Sequence, residues 1–426
     1  MLSPSPRTAI AIVCLGILLR ILFAVLTPTW DAPDEYPHYW VVERIAVEGG
    51  LPRSEPVFPR YEAFQPPLYY VAAGGLLAAI GPRPASMTFD REGSAPSSTL
   101  IILRLLSVLC GALTLVVVWR TVADRPSMSR AEKLTALAFV AFLPSYVGIT
   151  STVNNDAAVV LLAALAFHAA LAAPGGGGAF RAGLFTGLAL LAKSSAVVVV
   201  PFFLMYYWCS GHGTDRTEGT DRSGGDRWQS LWRYGAGAAI GVGLRRRLLR
   251  YGAGAAIGVG LLLARNIIQY DALLAVMPGV EREAALDPAN VAHAVRNLFG
   301  SFWLAFGRLY TVHPPFLFYL LTFVPMTIAA AAGYLRSRAQ RPLPLGLLTV
   351  TFACAVLLSL AFTLSYPAGT MTSWGKNLYP LLPLFAIVAG VGWNRVIGRR
   401  HVVAWMSIAV MVGGLAWIVG VFRGLL

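Results

Sequence analysis

The chain has 426 residues, 57% of them hydrophobic and 13% charged, with a mean hydropathy of +0.64 and a formal net charge of +14. A soluble domain carries about twice that charged share, so a soluble globular protein is excluded. Nucleic-acid binding is excluded as well, because the basic residues sit in short clusters between apolar runs and form no single polar face.

In chain order, apolar runs of about 18 residues or more recur from end to end and predict an all-α polytopic fold in one domain, crossing a bilayer about ten or eleven times. The expected spans are 8–26, 99–121, 132–150, 155–173, the pair 179–192 and 194–209, then 251–268, 315–334, 343–365, 379–397 and 401–421. Arg7 precedes the first run and no small-residue cleavage site follows it, so a retained span is expected and not a cleaved signal. Residues 27–98 form a long first loop expected to carry juxtamembrane helices. Lys193 and Pro201 interrupt the region from Phe180 to Cys209, which predicts two short helices, since one straight span would leave Lys193 in lipid. Cys14, Cys110, Cys209 and Cys354 lie in apolar segments without paired spacing and give neither a disulfide frame nor a metal site.

Basic clusters set the orientation. Arg7, Arg120/Arg125/Arg130/Lys133, the loop 211–233, Arg336/Arg338/Arg341 and Arg395/Arg399/Arg400 share one side if the spans alternate, and the positive-inside rule makes that side cytoplasmic. The N-terminus is then cytoplasmic, and the acidic first loop and the loops around 269–314 and 366–378 are extracytoplasmic. One repeat interrupts this plan: RYGAGAAIGVGL occurs at Arg233–Leu244 and again at Arg250–Leu261. Two copies make no solenoid. The first is too short to span before Arg245-Arg246-Arg247 and is expected near the cytoplasmic interface, while the second continues into a true span.

Chemistry concentrates directly after the first span, in Trp30-Asp31-Ala32-Pro33-Asp34-Glu35-Tyr36-Pro37-His38. If a helix begins here, Asp31 can cap it, and Asp34 and His38 share a face at i and i+4. Acids at a helix N-terminus also satisfy its dipole, but capping needs one acid and this turn supplies three beside a histidine. A carboxylate held in a pocket next to an acceptor hydroxyl is what general-base chemistry requires. Asp156, at the start of the fourth span on the same side, is either a second site carboxylate or part of an Asn154-Asn155-Asp156 cap.

These residues carry a resemblance. Pro33-Asp34-Glu35 with His38 (PDExxH), Gln65-Pro66-Pro67-Leu68-Tyr69-Tyr70, Arg104-Leu105-Leu106-Ser107 with Gly111, Asn154-Asn155-Asp156, Gly187 to Lys193, Phe302-Trp303 with Phe306-Gly307, and Gly375-Lys376-Asn377-Leu378-Tyr379-Pro380 follow one another in matching membrane contexts. Together they resemble a family of bacterial multi-pass proteins within the GT-C membrane glycosyltransferases, which include protein mannosyltransferases and aminoarabinose transferases. Two departures bear on the donor. Lys376-Asn377 replaces the usual Arg-Tyr, giving a point charge instead of a bidentate fork, and Gln65 stands where relatives often carry a charged or imidazole residue.

The resemblance implies an enzyme of the bacterial cytoplasmic membrane with an extracytoplasmic site. It would take sugar from a polyprenyl-phosphate donor, delivered through membrane lipid, and pass it with inversion to a glycan, lipid or protein hydroxyl. Asp34 is the expected base, with Glu35 the alternative. Lys376, Lys193, Arg104, Arg265 and Arg308 are candidate cations for the leaving phosphate, and His38, Gln65, Tyr69, Asp156 and Tyr379 complete the candidate substrate contacts. Two cations have plainer readings: Arg104 can pair with an acid of the first loop, and Lys193 can snorkel to a membrane face. No cofactor is required by the pattern, although a divalent cation at His38 is left open. A transporter or flippase of lipid-linked sugars is the rival from another class. It calls for paired broken helices at the bilayer midplane and a long-range inverted repeat, and no such repeat is visible. A ligase or polymerase of lipid-linked saccharides shares the substrates and geometry. No Walker pattern or nucleotide-binding glycine turn is present.

Overall fold

The computed structural model describes residues 6–81, 96–173, 175–211, 242–276, 287–306, 313–337, 341–365, 375–396 and 402–422. Among these, helices form and no β-strand does. Helix α1 (Pro6–Leu26) is followed by the juxtamembrane helices α2 (Glu35–Glu48) and α3 (Leu68–Ile80), with a 3-10 turn at Arg60–Phe64 between them. Then come α4 (Ser98–Ala123), α5 (Arg130–Phe142), α6 (Pro144–Ile149), α7 (Asp156–Ala172), α8 (Gly176–Ala192), a 3-10 turn at Ser194–Val199 and α9 (Val200–Gly211). The remaining helices are α10 (Val242–Tyr270), α11 (Pro288–Trp303), α12 (Phe316–Leu321), α13 (Phe323–Arg336), α14 (Leu345–Leu364), α15 (Leu382–Arg395) and α16 (Val402–Phe422), with a 3-10 turn at Gly375–Leu381 before α15. Among the described residues, six helical segments are long and apolar enough to cross a membrane: Arg7–Leu26, Ser98–Ala123, Leu244–Tyr270, Phe316–Arg336, Leu345–Leu364 and Val403–Val421. Shorter apolar helices, including α7 and α8, pack among them.

The apolar centre is α5, where Ala136 through Leu143 are all buried. Its start is fixed by a capping box between Ser129 and Glu132, and the Glu132 carboxylate also pairs with Arg395 at the end of α15. Its end is set by Pro144, which has no N–H to give the carbonyl of Val140. Arg20, wholly buried in α1, repairs the break: its guanidinium donates to the carbonyls of Val140 (3.2 Å) and Ala141 (3.1 Å) and to the Thr150 hydroxyl (2.9 Å). The expected single span 132–150 is therefore two helices, α5 and α6, because the proline frees backbone groups that a side chain must satisfy.

Helices α8 and α10 cross at backbone contact. A Cβ at Gly187 would stand 2.4 Å from the Ala255 carbonyl oxygen, and one at Gly258 would stand 2.2 Å from the Gly187 carbonyl carbon. Small residues are what allow such an approach between apolar helices. The second copy of the tandem repeat supplies Ala255 and Gly258 to this contact. Apart from its last residues, from Val242, which open α10, the first copy lies outside the described residues, as does the loop 212–241.

One ion pair joins four elements ahead of the site. Arg104 of α4 donates from Nε to Glu35 Oε1 (2.8 Å) and from Nη2 to Glu35 Oε2 (2.6 Å), and from Nη1 to the carbonyls of Ala24 (2.8 Å) and Thr27 (2.7 Å). Glu35 Oε1 also accepts the N–H of Val153 (3.0 Å). The end of α1, the start of α2, the middle of the first half of α4 and the α6–α7 loop are thus tied at one point, where both side chains are fully buried. Arg104→Ala leaves a buried carboxylate without its partner and is expected to cost about 3–5 kcal/mol of stability. Thermal unfolding in detergent will show it, and Arg104→Met with Glu35→Gln should recover part of the loss.

Candidate active site

Asp34 precedes α2 in a left-handed backbone conformation (φ 58°), one that aspartate tolerates better than most residues. Its side chain caps nothing, and Asp31 is not the cap of α2, because the helix starts three residues later than that reading requires. The Asp34 carboxylate instead meets Lys376 across the fold, with Nζ donating to Oδ2 at 2.7 Å. Lys376 is placed by the 3-10 turn that Gly375 opens. A Cβ at Gly375 would lie 2.1 Å from the Phe302 backbone nitrogen, so only glycine lets the turn sit this close to α11. The lysine is 5% exposed in its side chain and Asp34 29%, so the carboxylate is the open end of the pair.

Behind this pair lies a second. Lys193, extended between α8 and the following 3-10 turn, donates to Asp156 Oδ2 at 2.8 Å, and Lys376 Nζ is 3.9 Å from the same oxygen. Lys193 therefore does not snorkel to a membrane face. The break after α8 turns it inward, where Asp156 supplies the counter-charge that a buried ammonium needs. Asp156 itself is not a cap: Asn155 holds the N-cap position without a side-chain bond, and Asn154 Oδ1 accepts the Asp156 N–H at 2.8 Å. Asp156 Oδ1, Asn155 Oδ1 and His38 Nε2 are buried with no hydrogen-bond partner.

The third layer comes from the first loop. His38 Nδ1 and the Tyr70 hydroxyl share a hydrogen bond at 2.7 Å, and Glu62 Oε1 lies 3.5 Å from the same nitrogen. Gln65 donates to Glu62 Oε1 at 2.6 Å and accepts from Asn155 at 3.1 Å. Tyr69 turns the other way. Its hydroxyl pairs with Ser107 at 2.9 Å and accepts the Asn154 N–H at 3.2 Å, holding the α6–α7 loop. Arg265 donates to the carbonyls of Ala63 (2.7 Å) and Phe64 (3.0 Å), and so fixes the turn that bears Glu62 without pairing with it.

The charges act on one another. Burial raises the Asp34 pKa, but the charge of Lys376 and its hydrogen bond, with a smaller pull from Lys193, outweigh it and hold the carboxyl at about 2. Burial, followed by the Asp34 charge, pushes Glu62 up to about 7 against the pull of Lys193 and Lys376. Burial and Lys193 lower His38 well below the usual histidine range, so its ring is neutral.

Of the residues named from sequence, Asp34, His38, Gln65, Asp156, Lys193 and Lys376 are brought into one network. Glu35 and Arg104 are not in it. Both Glu35 oxygens are taken by Arg104, which corrects the reading of Glu35 as an alternative base and of Arg104 as a phosphate contact. Tyr379 packs edge-on against Tyr146 and donates to the Phe302 carbonyl at 2.9 Å, so it positions the turn of Lys376. Arg308 lies outside the described residues. Glu62 and Tyr70 were not singled out from sequence. Tyr70 closes the Pro-Pro-Leu-Tyr-Tyr element but was given no role of its own, and Glu62 lies in a polar loop whose pattern gives no sign of burial. Among the described residues no group of three His, Cys, Asp or Glu side chains is arranged to hold a metal ion.

A family model described as dolichyl-phosphate-mannose-protein mannosyltransferase matches residues 97–217, under a third of the chain. The chain superposes on ArnT from Cupriavidus metallidurans bound to undecaprenyl phosphate with a TM-score of 0.53 at 13% identity, covering 98% of this chain and 73% of that one. The apo form of the same enzyme gives 0.51 at 12% identity, covering 96% and 62%. The chain has the GT-C fold. No curated protein matches it by sequence. The multi-pass helical body is common to the GT-C fold and this chain, while identities this low leave the chemistry to the site itself. Gly375→Ala tests how tightly the site is set: the added methyl must move the Lys376 turn or α11, at a cost of about 1–3 kcal/mol, readable as a lower unfolding temperature in detergent.

Proposed function

We propose that the chain is a membrane glycosyltransferase that moves a sugar from a polyprenyl-phosphate donor to a hydroxyl acceptor, with inversion, on the extracytoplasmic side of a bacterial cytoplasmic membrane. The observation that carries this reading is the Asp34–Lys376 pair at the open edge of a buried network of carboxylates and lysines. A leaving phosphate needs cations held in advance where negative charge develops, and Lys376 and Lys193 are held by carboxylates that a phosphate can replace. The GT-C fold and the undecaprenyl phosphate bound to the ArnT neighbour support a polyprenyl-linked partner.

In this reading the donor phosphate settles beside Lys376 and draws its ammonium away from Asp34. Asp34, relieved of its cation, becomes a stronger base and points to solvent, where an acceptor hydroxyl can reach it. The hydroxyl oxygen forms a bond to the anomeric carbon from the face opposite the phosphate. The bond from that carbon to the phosphate oxygen breaks, its electron pair leaves with polyprenyl phosphate, and the hydroxyl proton passes to Asp34. Asp156 and its unpartnered Oδ1 sit behind the lysines and keep them in place. Glu35 serves only to anchor α2. The acceptor is a glycan, lipid or protein hydroxyl.

A lipid-linked-sugar transporter is favoured by one feature: the short helix α6 precedes the loop that leads into Asp156, the break after α8 carries Lys193, and broken helices are how transporters build sites. Reconstitution in liposomes with a panel of polyprenyl-phosphoryl sugars separates the two. Free polyprenyl phosphate should accumulate, and Asp34→Asn and Lys376→Met should each slow its release by about 10²–10³-fold. Sugar movement across the bilayer without phosphate release, or normal turnover in Asp34→Asn, would refute the transferase.

Lys376→Arg gives a second expectation. The fork of arginine is bulkier and binds phosphate in two places. In a turn closed by Gly375 it should retain donor binding yet lose turnover by about tenfold or more through misplacement, seen as a fall in kcat with little change in KM.

A further inference from the structure

Each buried carboxylate among the described residues has an arginine or lysine partner within 4.0 Å, with one exception. Glu35 has Arg104, Glu43 has Arg44, Asp156 has Lys193 and Glu132 has Arg395. Glu62, 5% exposed, has none. Its neighbours are uncharged: the Gln65 amide at 2.6 Å and the His38 ring at 3.5 Å, itself bonded to Tyr70. Arg60 of its own turn pairs with Glu55, and Arg265, which reaches that turn from α10, donates to the Ala63 and Phe64 carbonyls, to Asn266 and to Tyr270 instead. A charge left unpaired in such a place is costly, and the group responds by changing protonation.

The count of charges says when. Asp34 and Asp156 balance Lys193 and Lys376, so an ionised Glu62 gives the network one surplus negative charge and a protonated Glu62 gives none. An anion brought to the two lysines is repelled in the first case and not in the second. We propose that Glu62 is a proton-binding residue of this site, and that an anionic phosphate group settles beside Lys376 and Lys193 only as the Glu62 carboxyl takes up a proton. This deepens the phosphate-binding reading above and rests on it. The groups that face Glu62 are Asp34 just before α2, His38 of α2, Tyr61 of its own turn, Tyr70 of α3, Asp156 of α7, Lys193 and Lys376. Asp34 and His38 titrate below neutrality and burial moves Tyr61 upward, so they hold their charge while Glu62 titrates near pH 7.

The sign follows from linkage. A bound anion raises the pKa of a nearby carboxyl, so binding is tight below the value in the free protein and weakens above it, by at most about tenfold per pH unit for one proton. The probe is undecaprenyl methyl phosphate, a phosphodiester whose single charge is constant from about pH 5 to 9, added to the full-length protein in detergent. Calorimetry in buffers of different ionisation enthalpy should show up to one proton taken up per bound probe at about pH 8, with affinity falling toward tenfold per pH unit above pH 7. Glu62→Gln should bind without proton uptake and without pH dependence, and Glu62→Asp should restore both. A pH-independent parent, with binding still abolished in Lys376→Met, overturns the role of Glu62 and leaves the phosphate site standing. Parental binding in Lys376→Met instead removes the phosphate reading itself. If Glu62→Gln fails to fold, infrared difference spectra of the parent decide: a protonated carboxyl band must appear when the probe is added at about pH 8, and its absence overturns the proposal.

Discussion

The bidentate contact between Arg104 and Glu35 is the constraint on which the half of the molecule around Asp34 depends. Neither side chain has access to water, so each would be expensive alone, and together they settle where α1 stops, where α2 starts and how the α6–α7 loop lies. Asp34 is the residue immediately before Glu35. Once Glu35 is locked, the backbone at Asp34 has little freedom, and its left-handed conformation is the local strain that this locking leaves behind. The same contact reaches Val153, three residues from Asp156. The backbone at Asp34 and near Asp156 is therefore placed by an ion pair that neither carboxylate joins.

The four acids of the region fall into different roles for electrostatic reasons. Glu35 is fully paired and inert. Asp156 is sealed behind Lys193. Asp34 is paired by Lys376 but reaches solvent, so another anion can take its place beside the lysine. Glu62 is sealed without a cation. A cluster that looks like a surplus of carboxylates in sequence is thus an ordered set, in which each group differs by who neutralises it and by whether water can reach it. Backbone breaks provide the ordering. Pro144 ends α5, the extended Lys193 ends α8, and the glycine-opened turn at Gly375 precedes α15. Each break delivers one polar side chain or loop to the same outer region of an otherwise apolar bundle, which is where irregular backbone can be tolerated in a membrane protein.

The sequence by itself determined the all-helical membrane class, because a chain this apolar must satisfy its backbone within each segment. It also determined the region of the site, since a cluster of acids directly after a first span, and a lysine interrupting an apolar run, violate local expectation in ways a reader can see. Asp34, His38 and Lys193 were visible as such violations and Asp156 as an acid opening a span, while Lys376 came from the resemblance carried by its Gly-Lys-Asn-Leu-Tyr-Pro segment. Which of them meet was decided only by the tertiary structure. Asp34 and Lys376 are at opposite ends of the chain, and nothing local in either segment names the other. Glu35 and Asp34 are adjacent in sequence, yet one turns into the bundle and the other out, a choice made by Arg104 from α4. Glu62 is the clearest case. In the sequence it is an ordinary acid in a polar loop, and its burial exists only because α2, α3 and α10 close around that loop. Pattern carries periodicity and composition, but pairing and desolvation are properties of packed neighbours, so the partners of these charges became readable only once the helices were in place.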